Sequence, residues 1–190
     1  MSVEPAPDVV RCPWGDDPQM IAYHDREWGR ELHGETALFE RMSLEAFQSG
    51  LSWAVILRKR ERFREVFAGF DPPTVAAFGE ADVARLLDDA GIVRNRQKIE
   101  ATISNARTVV ALDEPLDDLL WSFAPGPRPA PVTYADVPAT TPESVAMAKT
   151  LKKRGFRFVG PTTAYALMQA TGMVNDHLAD CVAREAAGAV

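Results

Sequence analysis

Apolar residues recur along most of this chain at helical rather than alternating spacing. From Ala37 to Leu51 the positions Leu38, Phe39, Met42 and Ala46 fit a 3.6-residue repeat. A second helix is expected from about Trp53 through Phe67, stopping before Gly69 and the Asp71-Pro72-Pro73 turn. Pro73-Thr74-Val75 reads as a short helix start, since proline suits a first turn. Glu80 to Asp89 reads as a short amphipathic helix closed by Gly91 as its C′ glycine. The longest uninterrupted pattern runs from Arg96 to Leu112, with Ile99, Ile103, Ala106 and Val110 on one stripe. Residues 124–142, APGPRPAPVTYADVPATTP, are too rich in proline to be anything but extended or looped. They form either an interdomain linker or a surface loop, and the loop is preferred because helices resume at once. Thr141 as N-cap and Pro142 at N1 open the next helix, which carries Val145, Ala148 and Leu151 up to Gly155. No segment alternates convincingly and no internal repeat is visible, so the expected class is all-α.

The run KTLKKRGFRFVGPTTAYALMQATG (149–172) is the most informative interior stretch. It reads as helix, tight turn GFRFVG, and a second helix from near Pro161 to Gly172. Gly155 can adopt φ > 0 to close the first helix, and Gly160 would let the backbone approach something closely. Phe156 and Val159 are expected to tuck inward and pin the turn. The second helix then presents unpaired N–H groups at its positive end, with Lys152 and Lys153 beside it. That is the chemistry of an element holding a DNA phosphate without reading bases. An ordinary αα-hairpin with a glycine cap and solvated lysines fits the same letters.

Length and charge narrow the setting. At 190 residues, 46% hydrophobic and 25% charged, the chain can bury a real core, and one domain with two helical lobes is the default. No apolar run approaches the roughly 18 to 20 residues that cross a bilayer. The start MSVEPAPDVVR is acidic and proline-rich, unlike a signal peptide. A cytoplasmic, reducing home is expected, in which a Cys12–Cys181 disulfide would not persist. The net charge of −6 argues against nucleic acid only weakly, because the bases cluster. Arg58, Lys59, Arg60, Arg62 and Arg64 form one group, Arg94, Arg96 and Lys98 a second, and Lys152, Lys153, Arg154 and Arg157 a third. Each is either a solvated helix face or a phosphate contact.

The candidate chemistry lies at the two ends and in the first long helix. Cys12 and His24 near one end, with His177 and Cys181 near the other, could together make the Cys₂His₂ tetrahedron that zinc favours. His177 and Cys181 at i, i+4 would face the same way on a helix. Tyr23-His24-Asp25 could instead hold a general base with its orienter, but neighbours on a helix point to different faces, so metal ligation suits His24 better. His33 is assigned no role. Glu45 stands in the otherwise apolar MSLEAFQSGLSW, either facing solvent or set as a polar group in a cleft, with Gln48 and Ser52 continuing the stripe. Trp14, Trp28 and Trp53 are core residues or the flat walls that a nucleobase pocket needs.

The runs RCPWGDDPQMIAYHDREWG, LFERMSLEAFQSGLSWAVILRKRE, DAGIVRNRQKIEATISNA, WSF and LKKRGFRFVGPTTAYALMQATGMVNDH, in this order, resemble the DNA-3-methyladenine glycosylase I family of the helix–hairpin–helix superfamily. The likeness spans Arg11 to Cys181. It implies a base-excision repair enzyme that hydrolyses the N-glycosidic bond of 3-methyladenine in double-stranded alkylated DNA, releases the free base, and works as a monomer away from membranes. It implies one structural zinc ion on Cys12, His24, His177 and Cys181. It implies a base pocket of Glu45, Tyr23 and Trp53, with Trp14, Trp28 and Gln48 close by, and Glu45 as the principal catalytic group. It places the DNA hairpin at Gly155 to Gly160, with Lys152, Lys153, Phe156 and Val159. Met20 stands where some relatives have tyrosine. In Val174-Asn175-Asp176-His177 the register puts Asn175 where the wider superfamily has a catalytic aspartate, leaving Asp176 a lesser candidate. With no lysine placed to form a Schiff base, lyase activity is not expected. The domain reading is a tail over 1–10, one helical domain over 11–182, and a tail over 183–190. Two other functions fit the residues, a non-catalytic zinc-containing DNA-binding module and a zinc-dependent hydrolase.

Overall fold

In the computed structural model, which describes residues 9–188, every regular element is helical and no strand occurs among the described residues. A 3₁₀ turn at Pro13–Asp16 leads into α1 (Ile21–Arg26), followed by α2 (Glu35–Gln48) and α3 (Trp53–Val66). A 3₁₀ turn at Ala68–Phe70 precedes α4 (Pro72–Ala76), α5 (Glu80–Asp88), α6 (Arg96–Val110) and α7 (Leu116–Trp121). The proline-rich segment holds a single 3₁₀ turn at Tyr134–Asp136, and then come α8 (Pro142–Arg154) and α9 (Pro161–Ala170). None of these helices is long and apolar enough to cross a membrane.

Local chemistry explains the boundaries. Asp71 accepts from the Thr74 N–H at 3.0 Å, Asn95 from Lys98 at 3.1 Å and Thr141 from Ser144 at 3.2 Å, so α4, α6 and α8 each start on a side-chain cap. Gly155 closes α8 at φ 102°, and the Phe156 and Gly155 N–H groups return to Leu151 and Lys152, the Schellman pair of bonds. Gly91 does not act as the C′ glycine of α5, whose cap residue Asp89 is extended. A Cβ at Gly91 would instead lie 2.5 Å from Cγ of Arg62, so close approach is what demands glycine there. Val110 and Val145 are not core positions. They are 53% and 46% exposed, while Val109 on α6 and Met147 on α8 turn inward.

The core is built around α2, in which Leu38, Phe39, Met42, Leu44 and Phe47 are all essentially inaccessible. A helix buried on nearly every side must be covered all round, and α3, α6, α7 and α9 supply that cover. A second, smaller cluster gathers Cys12, Leu178, Cys181 and Ala183 with Trp14 packed against it, away from the main core. Here the chain ends meet, with the Val182 N–H donating to the Val10 carbonyl at 2.9 Å. Residues 1–8 of the expected N-terminal tail lie outside the described residues. The expected tail from 183 onward is not free as far as residue 188. Ala183 and Ala187 are buried, and Asn175 Nδ2 donates to the carbonyls of Arg184 and Gly188. The proline-rich segment lies against the helical body, where the Pro131 carbonyl accepts from Ala179 at 2.9 Å.

Candidate active site and metal cluster

Four buried side chains converge where the ends meet. His24 comes from α1, Cys12 precedes the first 3₁₀ turn, and His177 and Cys181 follow α9. Their donor atoms all lie within 4.8 Å of one another. Cys181 Sγ is 3.5 Å from His24 Nε2 and 3.4 Å from His177 Nδ1, and Cys12 Sγ is 3.8 Å from His177 Nδ1. A tetrahedral ion with thiolate and imidazole arms has donor–donor edges of about 3.3–3.8 Å. The remaining imidazole nitrogens are committed outward, as metal-bound histidines require. His24 Nδ1 is 2.7 Å from Asp25 Oδ1, and His177 Nε2 is 3.1 Å from the Trp28 carbonyl. Donor set and geometry therefore fit zinc. The Cys181 thiol is held well below its ordinary value by its contacts with Cys12, His177 and His24, and both cysteines are free.

Two expectations about these residues change. His177 and Cys181 do not share a helix. The segment runs in turns, begun by Asn175 Oδ1 accepting from the His177 N–H, and Leu178 donates its N–H to Cys12 Sγ at 3.4 Å. Adjacency does not keep His24 and Asp25 apart either. Near the end of the short α1 the Asp25 carboxylate turns back to Nδ1, and Arg11 holds its other side at 2.9 Å. Despite its partial burial, Asp25 is kept below the usual carboxylate range by Arg11 and His24. Glycine makes room for the cluster. A Cβ at Gly15 would fall 2.3 Å from the His24 ring, and Gly29, at φ 76°, sits where a Cβ would be 3.1 Å from the His177 ring.

Beside the cluster opens a cleft of about 560 Å³. Its walls include Trp14, Tyr23, Trp28, Glu45, Gln48 and Trp53, so the residues singled out for base binding do come together. Met20, Ser52, Gln169, Asp176 and Tyr134 also line it, as does Cys12 of the cluster. Tyr23 and Trp53 form a tilted pair with ring centroids 5.3 Å apart, and Trp14 meets Trp28 edge-on at 4.9 Å. Trp28 also packs edge-on against His177 at 4.7 Å, which joins the cleft wall to the cluster. Glu45 is 6% exposed and makes no hydrogen bond among the described residues, which rules out the solvent-facing alternative. Burial pushes its acid up to about 7, against a lowering pull from Arg41. The indole N–H of Trp53 is likewise buried without a partner.

Of two further participants, Arg41 carried no assigned role and Asp176 only that of a lesser catalytic candidate. Arg41, itself buried, donates to the Tyr23 hydroxyl at 2.7 Å. Asp176 faces the cleft and accepts from Tyr165, from Gln169 at 2.9 Å and from Arg128 at 3.3 Å. Burial and this carboxylate push the Tyr165 phenol up to about 12. Asn175, by contrast, spends its amide on the Arg184 and Gly188 carbonyls and on the turn of residues 175–177. A charged residue inside an apolar run was the one signal available for Arg41. Nothing local distinguished Asp176 from Asn175.

The hairpin is built as its letters imply. Phe156 and Val159 are buried, Lys152, Lys153 and Gly160 are exposed, and no protein atom lies within 4 Å of a Cβ placed on Gly160. Asn105 of α6 grips the turn from below. Its Nδ2 donates to the Arg157 carbonyl at 3.0 Å and its Oδ1 accepts from the Arg157 N–H at 2.8 Å. The other basic groups are largely occupied. Arg60 pairs with Glu27, Arg62 with Asp89, Arg64 with Glu40 and Arg96 with Glu80, while buried Lys98 donates to the carbonyls of Phe47 and Ser49 beneath the end of α2.

Comparison with known proteins places this geometry. A model of the methyladenine glycosylase family matches residues 14–185. The DNA-3-methyladenine glycosylase 1 of Escherichia coli K12 is 49% identical over 180 residues, which cover 91% of this chain and 96% of that protein. A crystal structure of a 3-methyladenine DNA glycosylase I matches with a TM-score of 0.88 at 47% identity, covering 91% of this chain and 98% of the other. A Staphylococcus aureus 3-methyladenine DNA glycosylase I, described for its recognition of 3-methyladenine, matches with a TM-score of 0.86 at 33% identity, covering 91% of this chain and 95% of the other.

Proposed function

The chain belongs to the methyladenine glycosylase family, and we propose that it excises 3-methyladenine from alkylated DNA by hydrolysing the N-glycosidic bond. One observation carries the assignment to this cleft. A buried carboxylate without a hydrogen-bond partner, Glu45, faces a cleft with room for a nucleobase, walled by Tyr23, Trp53, Trp14 and Trp28. Methylation at N3 places positive charge on adenine and makes it a good leaving group. The protein therefore needs to extract the nucleotide and recognise a cationic ring more than it needs to protonate it. Glu45 accepts hydrogen bonds from the base edge, and its charge favours the cation over ordinary adenine. Tyr23 and Trp53 offer π-faces to the alkylated ring.

DNA is held by the α8–α9 hairpin, read as a helix–hairpin–helix element. Lys152 and Lys153 and the exposed N-terminus of α9 at Gly160 meet a phosphate of the duplex without reading sequence. Leu51, a large apolar side chain 39% exposed in the turn between Gln48 and Trp53, is suited to fill the gap that the extracted base leaves. No lysine is among the residues that line the cleft, which supports a monofunctional hydrolase. Cys12, His24, His177 and Cys181 hold one zinc ion. Four protein ligands leave no open position for water, which favours a structural ion over a zinc-dependent hydrolase. Bound there, zinc supplies a crosslink between the chain ends and no chemistry to the base.

The test is incubation with methylated duplex DNA and identification of the released base. Free 3-methyladenine is expected from the wild type, with Glu45→Gln reduced by at least 100-fold at unchanged zinc content. Binding of DNA without base release would favour the non-catalytic module.

A further inference from the structure

We propose that Arg41 is a positioning residue of the base pocket, a buried cation behind the aromatic walls that orients Tyr23 and draws Glu45 toward the anion that a cationic base requires. The inference rests on the reading of Glu45, Tyr23 and Trp53 as the pocket. Arg41 lies one turn before Glu45 on α2 and is 7% exposed. Its guanidinium donates to the Tyr23 hydroxyl at 2.7 Å and lies 5.3 Å from the Tyr23 ring centroid and 5.8 Å from that of Trp53. It makes no hydrogen bond to Glu45.

That placement resolves a conflict. A carboxylate buried alone holds its proton at neutral pH, and a neutral acid has no charge with which to prefer a cation. A guanidinium bonded directly to it would restore the charge but occupy the oxygens that the base needs. Arg41 spends its hydrogen bond on Tyr23 and acts on Glu45 through space, leaving the carboxylate oxygens open. Its own charge is only partly compensated. Glu27 at the end of α1 is 3.7 Å from Arg41, but Arg60 of α3 takes the closer pair of contacts with Glu27, at 2.5 and 3.0 Å. From beyond α9 the cleft receives Asp176, which is matched by Arg128, Tyr165 and Gln169, and Asp17 stands at the exposed rim. Glu40 on α2 is paired with Arg64. Lys98 of α6 spends its ammonium on the Phe47 and Ser49 carbonyls, which leaves Arg41 as the cation acting on Glu45.

The experiment follows the Glu45 carboxyl carbon by NMR in glutamate-labelled full-length protein, the signal assigned by its loss in Glu45→Gln, alongside the pH profile of base release. Arg41→Gln keeps a donor for Tyr23 but removes the charge. It is expected to raise the Glu45 midpoint by about one pH unit or more and to move the acidic limb of base release with it. Arg41→Lys keeps the charge and is expected to leave the midpoint near the wild-type position. Glu27→Gln frees Arg41 from its partial compensation and is expected to lower the midpoint, which keeps the proposal open to refutation should Arg41→Gln fold poorly. An unmoved midpoint in Arg41→Gln or Glu27→Gln, or an equal rise in Arg41→Gln and Arg41→Lys, overturns it. A merely structural role would lower the melting temperature without moving the midpoint. If the wild type releases no base while the midpoint shifts as stated, the proposed function fails and the electrostatic role of Arg41 stands.

Discussion

Glu45 combines deep burial, the lack of any hydrogen-bond partner within the described chain, and an acid pushed up to about 7 from an ordinary 4.5. Those properties have a stability consequence with a definite sign. A carboxyl whose folded pKa lies above its unfolded value favours folding fully below about pH 4.5, and the contribution is lost as pH rises through about 7. The full effect is on the order of 3 kcal/mol. Glu45→Gln is therefore expected to melt higher than the wild type at pH 8, with the gap closing toward pH 4, even as base release collapses. Parallel thermal melts across that range, with equal shifts at both ends as the contrary result, check it. Gly15 carries an opposite expectation. Because a Cβ there would lie 2.3 Å from the His24 ring, Gly15→Ala should displace the imidazole and reduce both metal content and melting temperature, measured by elemental analysis and calorimetry.

At the level of elements, the α8–α9 hairpin shows where local sequence suffices. Gly155 is left-handed, Thr141 caps α8, and Phe156 and Val159 turn inward because each requirement is met by residues within a few positions. Gly91 shows where it does not. Its glycine answers to Arg62, some thirty residues away, and no local rule separates that from a helix C-cap. The Asn105 clamp belongs to the same class, since a polar residue inside the apolar stripe of α6 acquires meaning only when Arg157 is brought against it. Phe158, next in the turn, is held at φ 59°, an uncommon conformation for a bulky residue, so the turn depends on such a clamp. Asn105→Ala leaves two backbone groups of Arg157 without partners at a cost of about 1–3 kcal/mol. It is expected to weaken binding to duplex DNA roughly tenfold while leaving affinity for free 3-methyladenine unchanged. Fluorescence titrations with each ligand distinguish the two, and an equal loss for both would place the damage in the pocket instead.

On the scale of the whole molecule, the Cys₂His₂ cluster is a second centre of cohesion set apart from the main core. It gathers Cys12, Leu178, Cys181 and Ala183 and shares a wall, Trp28, with the cleft. If zinc occupies it, a strong chelator should lower the melting temperature by on the order of 10 °C or more and erode base release in parallel, because the ion's binding energy is folding energy. Metal removal that left both unchanged would show that the cluster is held by packing alone. The sequence by itself determined the long helices, the caps at Thr141 and Gly155, the hairpin turn and the identity of the four converging side chains. Periodicity and capping are local, and Cys12 and Cys181 are the chain's entire cysteine supply. Tertiary structure alone decided that Glu45 is buried rather than solvated, that Asp176 and not Asn175 faces the cleft, and that Asp25 orients His24. It also decided that Arg41 stands behind Tyr23, and that Arg60, Arg62, Arg64 and Arg96 are paired with distant carboxylates. Burial, field and hydrogen-bond partners depend on what packs against a residue, and apart from the adjacent His24–Asp25 pair the partner comes from another element or another turn of the chain.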